Sequence, residues 1–283
     1  MFGTIGARAV PGTVLVPLLT DLNMSPSAAR TLLHRMRARG LLTADRVGRV
    51  AIYRLAGSYA AHYQQITFGE TAPEWSGSFH ALVYDIPETQ RQDRDRLREQ
   101  AFLAGFGALR TGLLIGVRDP GEWAAAWLDR PDVMVERVQV GCDLATARRL
   151  ADRAWDLSGI ATRIDQLRGW FALVERRVHH RRIAGAPALA TLYQVWQRFV
   201  EVQIDIPALP VQLYPGGWSA DDAQAALYRL NEKLLPLARR HAQTVIDRVG
   251  AAGLIEREAR TPLIEQATSE PATGGQRDSD RRR

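Results

Sequence analysis

Cysteine and lysine are almost absent: Cys142 and Lys233 are the only ones in 283 residues. A single thiol has no partner for an intrachain disulfide, and it cannot supply the thiolate set of a structural zinc site. That usage suits a reducing compartment, and a cytoplasmic location is expected. No apolar run approaches the roughly 20 residues a membrane helix needs, so no membrane partner is expected. The apolar stretch Val10–Leu19 is broken by Pro11, Gly12 and Pro17 and has no basic leader beyond Arg8, which argues against a signal peptide. There is no Gly-x-Ser-x-Gly elbow, no phosphate-binding loop and no paired-cysteine motif. Gly105-Phe106-Gly107 lacks both the third glycine and the preceding strand of a dinucleotide site. Nothing here calls for a cofactor or a catalytic residue, and no enzyme is expected.

What is present reads as an ordinary globular chain. The hydrophobic share is 46% and the charged share 24%, which excludes collagenous, disulfide-scaffold and wholly disordered classes. The length fits two or three domains. Lys plus Arg is 37 against 31 for Asp plus Glu, a net +6 carried almost wholly by arginine. Such a bias also follows from genomic base composition, so its location carries the argument. From Ser25 to Arg54 there are seven arginines (30, 35, 37, 39, 46, 49 and 54) against Asp45 alone, again +6. A local basic face of this kind is the electrostatic footprint of a nucleic-acid binder.

The same segment carries a helix-turn-helix pattern. Leu15, Leu18, Leu19 and Leu22 mark a short helical face, followed by a turn through Asn23-Met24. Ser25 is a good N-cap, and Pro26 stands at the first helical position, where its missing N–H costs nothing. The helix should run to about Arg39 and stop at Gly40. Ala29, Leu32, Leu33 and Met36 form its inner line. Ser27, Arg30, Thr31, His34, Arg35 and Arg37 lie on the outer side and are the expected DNA-reading residues. After Leu41-Leu42, Arg46-Val47-Gly48-Arg49 signals a hairpin that would carry Arg46 and Arg49 as a wing. Residues 1–58 thus read as a winged helix-turn-helix domain.

A linker is expected over 59–77. Phe79–Ile86 is a buried-strand run stopped by Pro87, and Arg91–Ala104 is an amphipathic helix with Leu97, Ala101 and Ala104 inward. One or two strands follow over Leu109–Val117 with a bend at Thr111-Gly112. A short helix then carries Trp123 and Trp127, and Val133–Val140 is a last strand. That order makes 78–142 ferredoxin-like. Residues 143–260 read as a helical ligand and dimerisation domain, with Asp205–Gly217 as loop. Ser219 and Asp222 suggest an N-terminal cap, and Pro236 should interrupt or end the helix that follows. Residues 261–283 are polar and are expected to be a disordered tail. The fold class expected is α+β multidomain.

In their order these pieces resemble the PaaX-like regulators, the repressors of bacterial phenylacetate degradation and their relatives. The resemblance rests on Ser25–Met36, Arg39-Gly40-Leu41-Leu42 and the Gly48 wing. It continues through Phe79 to Asp85-Ile86-Pro87, Gly105-Phe106-Gly107, Trp155-Asp156-Leu157 and Leu209-Pro210 with Gly217-Trp218. Judged by the family pattern, the first helix is truncated. The resemblance implies a homodimeric repressor bound to double-stranded operator DNA and released by a small effector such as an acyl-coenzyme A. Trp155, Trp170 and Trp196 would then pack the acyl group, and Arg176, Arg177, Arg181 and Arg182 would hold the phosphates.

Two other classes stay open at this stage. Asp85 ends the first strand of the middle domain, where CRISPR-associated nucleases of related fold hold a metal. Metal-assisted cleavage normally needs further oxygen ligands, and a strand-end turn residue is the plainer reading. His179 and His180 are adjacent on a helix, point about 100° apart and do not chelate from one face, so no metal site is expected. An interaction protein with a degenerate DNA module is the remaining alternative.

Overall fold

The computed structural model describes residues 1–56, 74–180 and 183–257. The architecture is mixed α+β, with two antiparallel sheets and a helical C-terminal region. The chain forms two compact units. One comprises Met1–Gly69, Leu173–Gln197 and Ala225–Arg283; the other comprises Glu70–Ala172 and Arg198–Gln224.

The first unit opens with a single helical turn, α1 (Phe2–Ile5), and β1 (Ala7–Pro11). Next come α2 (Gly12–Thr20) and α3 (Pro26–Ala38), then the hairpin β2 (Leu42–Val47) and β3 (Val50–Leu55). Val14, Leu15, Leu18 and Leu19 of α2 are buried, as are Ala29 and Leu33 of α3. The sheet order is β2-β3-β1-β8, where β8 (Glu256–Arg257) comes from near the opposite end of the chain. Sequence periodicity foretells neither β1 nor β8. β1 is five residues ending in proline, and β8 is two charged residues whose only strand signal is their partner.

The second unit begins with β4 (Ser78–Asp85) and α4 (Arg91–Leu103), then β5 (Gly107–Arg110) and β6 (Leu113–Gly116). α5 (Gly121–Leu128) and β7 (Met134–Gly141) follow. All pairs are antiparallel, in the order β5-β6-β4-β7. Leu82, Tyr84, Leu114 and Val135 on one sheet face meet Leu97, Ala101, Ala124 and Trp127 of the two helices in one core. The indole N–H of Trp127 donates to Gln100 Oε1 at 2.7 Å, so a ring that is otherwise apolar keeps its polar atom satisfied.

Among the described residues after β7 there are four α-helices, α6 (Leu144–Trp155), α7 (Leu157–His180), α8 (Ala186–Gln203) and α9 (Ala220–Arg248). Two sequence expectations need correction. Pro236 does not break α9, which continues to Arg248. Leu234 and Ala238 on either side of it are buried, whereas Pro236 itself is exposed, so water can take up the carbonyl its missing N–H leaves free. Ser219 does not cap α9 through its hydroxyl, which instead donates to Asp165 Oδ1 at 2.9 Å; Asp222 pairs with Arg168 at 3.1 Å. The tail expected over 261–283 and most of the linker expected over 59–77 lie outside the described residues.

Candidate nucleic-acid interface

Ser25 begins α3 as expected: its Oγ accepts from the backbone N–H of Ala28 at 3.2 Å, and Pro26 follows at the first helical position. The connection from α2 is tight. Asn23 takes φ 66°, a left-handed conformation that asparagine tolerates better than most residues. At 100° per residue, Ser27, Arg30, Thr31, His34, Arg35 and Arg37 fall within an arc of about 160°. All six are exposed, while Ala29, Leu33 and the half-buried Leu32 and Met36 face the opposite way. The burial of one face of α3 therefore fixes the presentation of the other. Arg39, exposed, ends the helix, and Gly40 follows at φ 69°.

The hairpin closes on Gly48 and Arg49, with Val47 paired to Val50. Gly48 takes φ 61°, as the first central residue of such a two-residue turn demands. Arg46 and Arg49 are exposed there beside Val47, which is 53% exposed. The charges sort cleanly. Arg54 is committed to ion pairs with Asp45 and Glu256. Asp45, the only acid in the segment, is thereby consumed. Arg30, Arg35, Arg37, Arg39, Arg46 and Arg49 have no carboxylate partner among the described residues. Arg39 was legible in the charge count but carried no role until its exposure at the helix end was known.

Residues 4–59 match the PaaX-like protein family, and residues 72–140 match the PaaX protein central Cas2-like domain. Both matches support a PaaX-like family protein. They point to a transcriptional regulator with DNA as its partner and away from an enzyme. Among solved structures, the uncharacterized protein Rv0674 from Mycobacterium tuberculosis shares the fold. It is 24% identical with a TM-score of 0.56, over 82% of this chain and 90% of that one. No curated protein matches the sequence.

In this PaaX-like chain Asp85 is exposed at the end of β4, opposite Met134. Among the described residues, no three His, Cys, Asp or Glu side chains gather where they could hold a metal ion. No described helix is long and apolar enough to cross a membrane.

The residues expected around an effector divide between the two units. In the second unit, Trp155 packs its ring 6.3 Å from Phe79 and against Gly107, where an added Cβ would lie 2.7 Å from the indole. Trp170 is half-buried beneath the Arg198 guanidinium, 4.4 Å from its ring. In the first unit, Trp196 donates its indole N–H to the buried Asn231 Oδ1 at 3.1 Å. Arg176 and Arg177 are exposed near the end of α7, and Arg181 and Arg182 lie outside the described residues. A small apolar hollow between Ile164, Leu167, Phe199 and Ile206 has room for about one water, and none of these tryptophans lines it.

Proposed function

We propose that the protein is a transcriptional repressor that reads operator DNA with α3 and grips it with the β2–β3 wing. The observation that carries this reading is the set of exposed arginines on α3 and the wing that have no carboxylate partner among the described residues. Positive charge held on a face with no acid to neutralise it is what a phosphate backbone rewards. Helix, turn, helix and basic hairpin support a winged helix-turn-helix over residues 1–58. The strand order β5-β6-β4-β7 supports a ferredoxin-like reading of 78–142. Residues 143–260, apart from β8, are the proposed ligand and dimerisation part, joined by a linker over 59–77 and followed by a tail over 261–283.

Ser27, Arg30, Thr31, His34, Arg35 and Arg37 are the proposed groove and flanking contacts, and Arg46 and Arg49 reach phosphate from the wing. A homodimer would set two copies of α3 about 34 Å apart on a palindrome. The proposed effector is an acyl-coenzyme A. It acts only by favouring the conformation that spaces the helices badly.

The test is selection of duplexes from a random pool, followed by titration with variants. Arg30→Gln or Arg35→Gln should cost about 1–3 kcal/mol and relax preference at one base pair. Arg49→Gln should weaken all duplexes alike and flatten the salt dependence by about 0.9. Selection of no sequence, or variants that bind like the parent, would favour the degenerate interaction module instead. Titration of the complex with aryl-acyl thioesters, free coenzyme A and free acids tests the effector separately. Release by no thioester sinks that class alone.

A further inference from the structure

We propose that the basic end of α7, made of Arg176, Arg177, His179 and His180, is a second binding site for DNA phosphates, flanking the stretch read by α3. The proposal rests on the DNA-reading assignment above and extends it to a segment far from the winged module in sequence.

At 100° per residue the four side chains fall within an arc of about 160°. All four are exposed, and Phe171, Val174 and the half-buried Val178 occupy the opposite side of the helix. A basic last turn is stabilising by itself, because it complements the negative end of the helix dipole. That effect needs no particular face and leaves ordinary surface carboxylates free to pair. Here the one acid of the turn, Glu175, is taken by Lys233 at 2.7 Å. Arg176 and Arg177 have no carboxylate partner among the described residues.

Position supplies the second argument. Leu173–Gln197 folds into the same compact unit as the N-terminal module. Gly185, five residues after the end of α7, faces His241: a Cβ on it would stand 3.9 Å from Nδ1. The other ring nitrogen of His241 lies 2.7 Å from Asp21 in the α2–α3 turn. Five extended residues span at most about 18 Å, so the basic end lies within one duplex turn, ~34 Å, of the turn that presents α3. A phosphate-bearing effector offers the same chemistry. DNA is favoured because the cluster shares its unit with α3.

The experiment uses the full chain, the duplex it selects from a random pool, and the same duplex trimmed to the selected core. Arg176→Gln/Arg177→Gln should bind the long duplex roughly tenfold more weakly at 0.15 M salt, with a salt slope shallower by about 1.8. The preference for selected over random sequence should be unchanged, and the trimmed duplex should show little difference. Arg176→Lys/Arg177→Lys should keep the slope. Parental affinity and slope on the long duplex would overturn the proposal. So would unchanged DNA binding with a lost response to coenzyme A, which assigns the arginines to the effector. If the parent selects no sequence, the DNA reading fails first, before any α7 variant is compared.

Discussion

His241 in α9 and Asp21 in the α2–α3 turn lie 2.7 Å apart although 220 residues separate them in sequence. They are not alone. Arg239 Nε donates to Thr4 O at 3.3 Å and Arg257 Nη1 donates to Ile5 O at 2.7 Å, while Glu256 holds Arg54. The C-terminal segment is therefore a structural part of the module that presents α3, and damage to it should be felt there.

His241→Leu should leave the partly buried Asp21 carboxylate without its partner and cost about 1–2 kcal/mol of stability. Asp21→Asn should cost a similar amount, and the double variant less than the sum, because each single change already removes the contact. Urea denaturation of the four proteins measures this. Strict additivity would mean that the pair contributes nothing to holding the turn.

Substitutions at two positions probe the local signals that shape the basic surface. Ser25→Ala removes the acceptor for the Ala28 N–H and should cost about 1 kcal/mol, and Ser25→Asp should recover most of it. Gly48→Ala forces a side chain into a left-handed conformation at a cost of about 1–2 kcal/mol. Melting curves read both effects. A Gly48→Ala protein as stable as the parent would mean that the hairpin turn had re-formed with other angles.

The helices and the hairpin of the N-terminal module were legible because their signals are local: a capping serine, a proline at the first helical position, apolar spacings of three and four, and a glycine between arginines. The strand–helix alternation around Leu82 and Leu114 was legible for the same reason. β1 and β8 were not, since a five-residue strand and a two-residue strand are defined by pairing across the chain. The exposed arginines could be counted in the sequence, but which of them was neutralised could not. The commitment of Arg54 to both Asp45 and Glu256 depends on β8 arriving beside β1. The tryptophans expected to share one effector site fell in two units because helical spacing reveals burial and says nothing of which neighbour is buried against.

Gly107 offers a test of the second unit. A Cβ there would stand 2.7 Å from the Trp155 ring and 2.8 Å from Ala154 O, the second being backbone that cannot easily yield. Gly107→Ala should therefore destabilise by about 1–3 kcal/mol. Trp155→Phe added to it should recover only part, because the carbonyl clash remains. Full recovery would show that the ring alone sets the close approach between α6 and β5.

Acid should expose one contribution at the start of α6. The Asp143 carboxyl is held below its ordinary 3.8, first by the backbone N–H of Thr146 at 2.9 Å and then by that residue's hydroxyl at 2.8 Å. A carboxyl whose folded pKa is depressed stabilises the fold fully above its unfolded value, and that contribution is lost as pH falls through the folded value. Asp143→Asn keeps an acceptor at the cap but cannot titrate. The stability difference between parent and Asp143→Asn should thus be constant at neutral and mildly acid pH and should shrink below about pH 4. Chemical denaturation from pH 7 down to pH 2.5 measures it. A difference that stays flat across that range would mean the carboxylate gains nothing from its charge at the cap, and that the helix start depends on hydrogen-bond geometry alone.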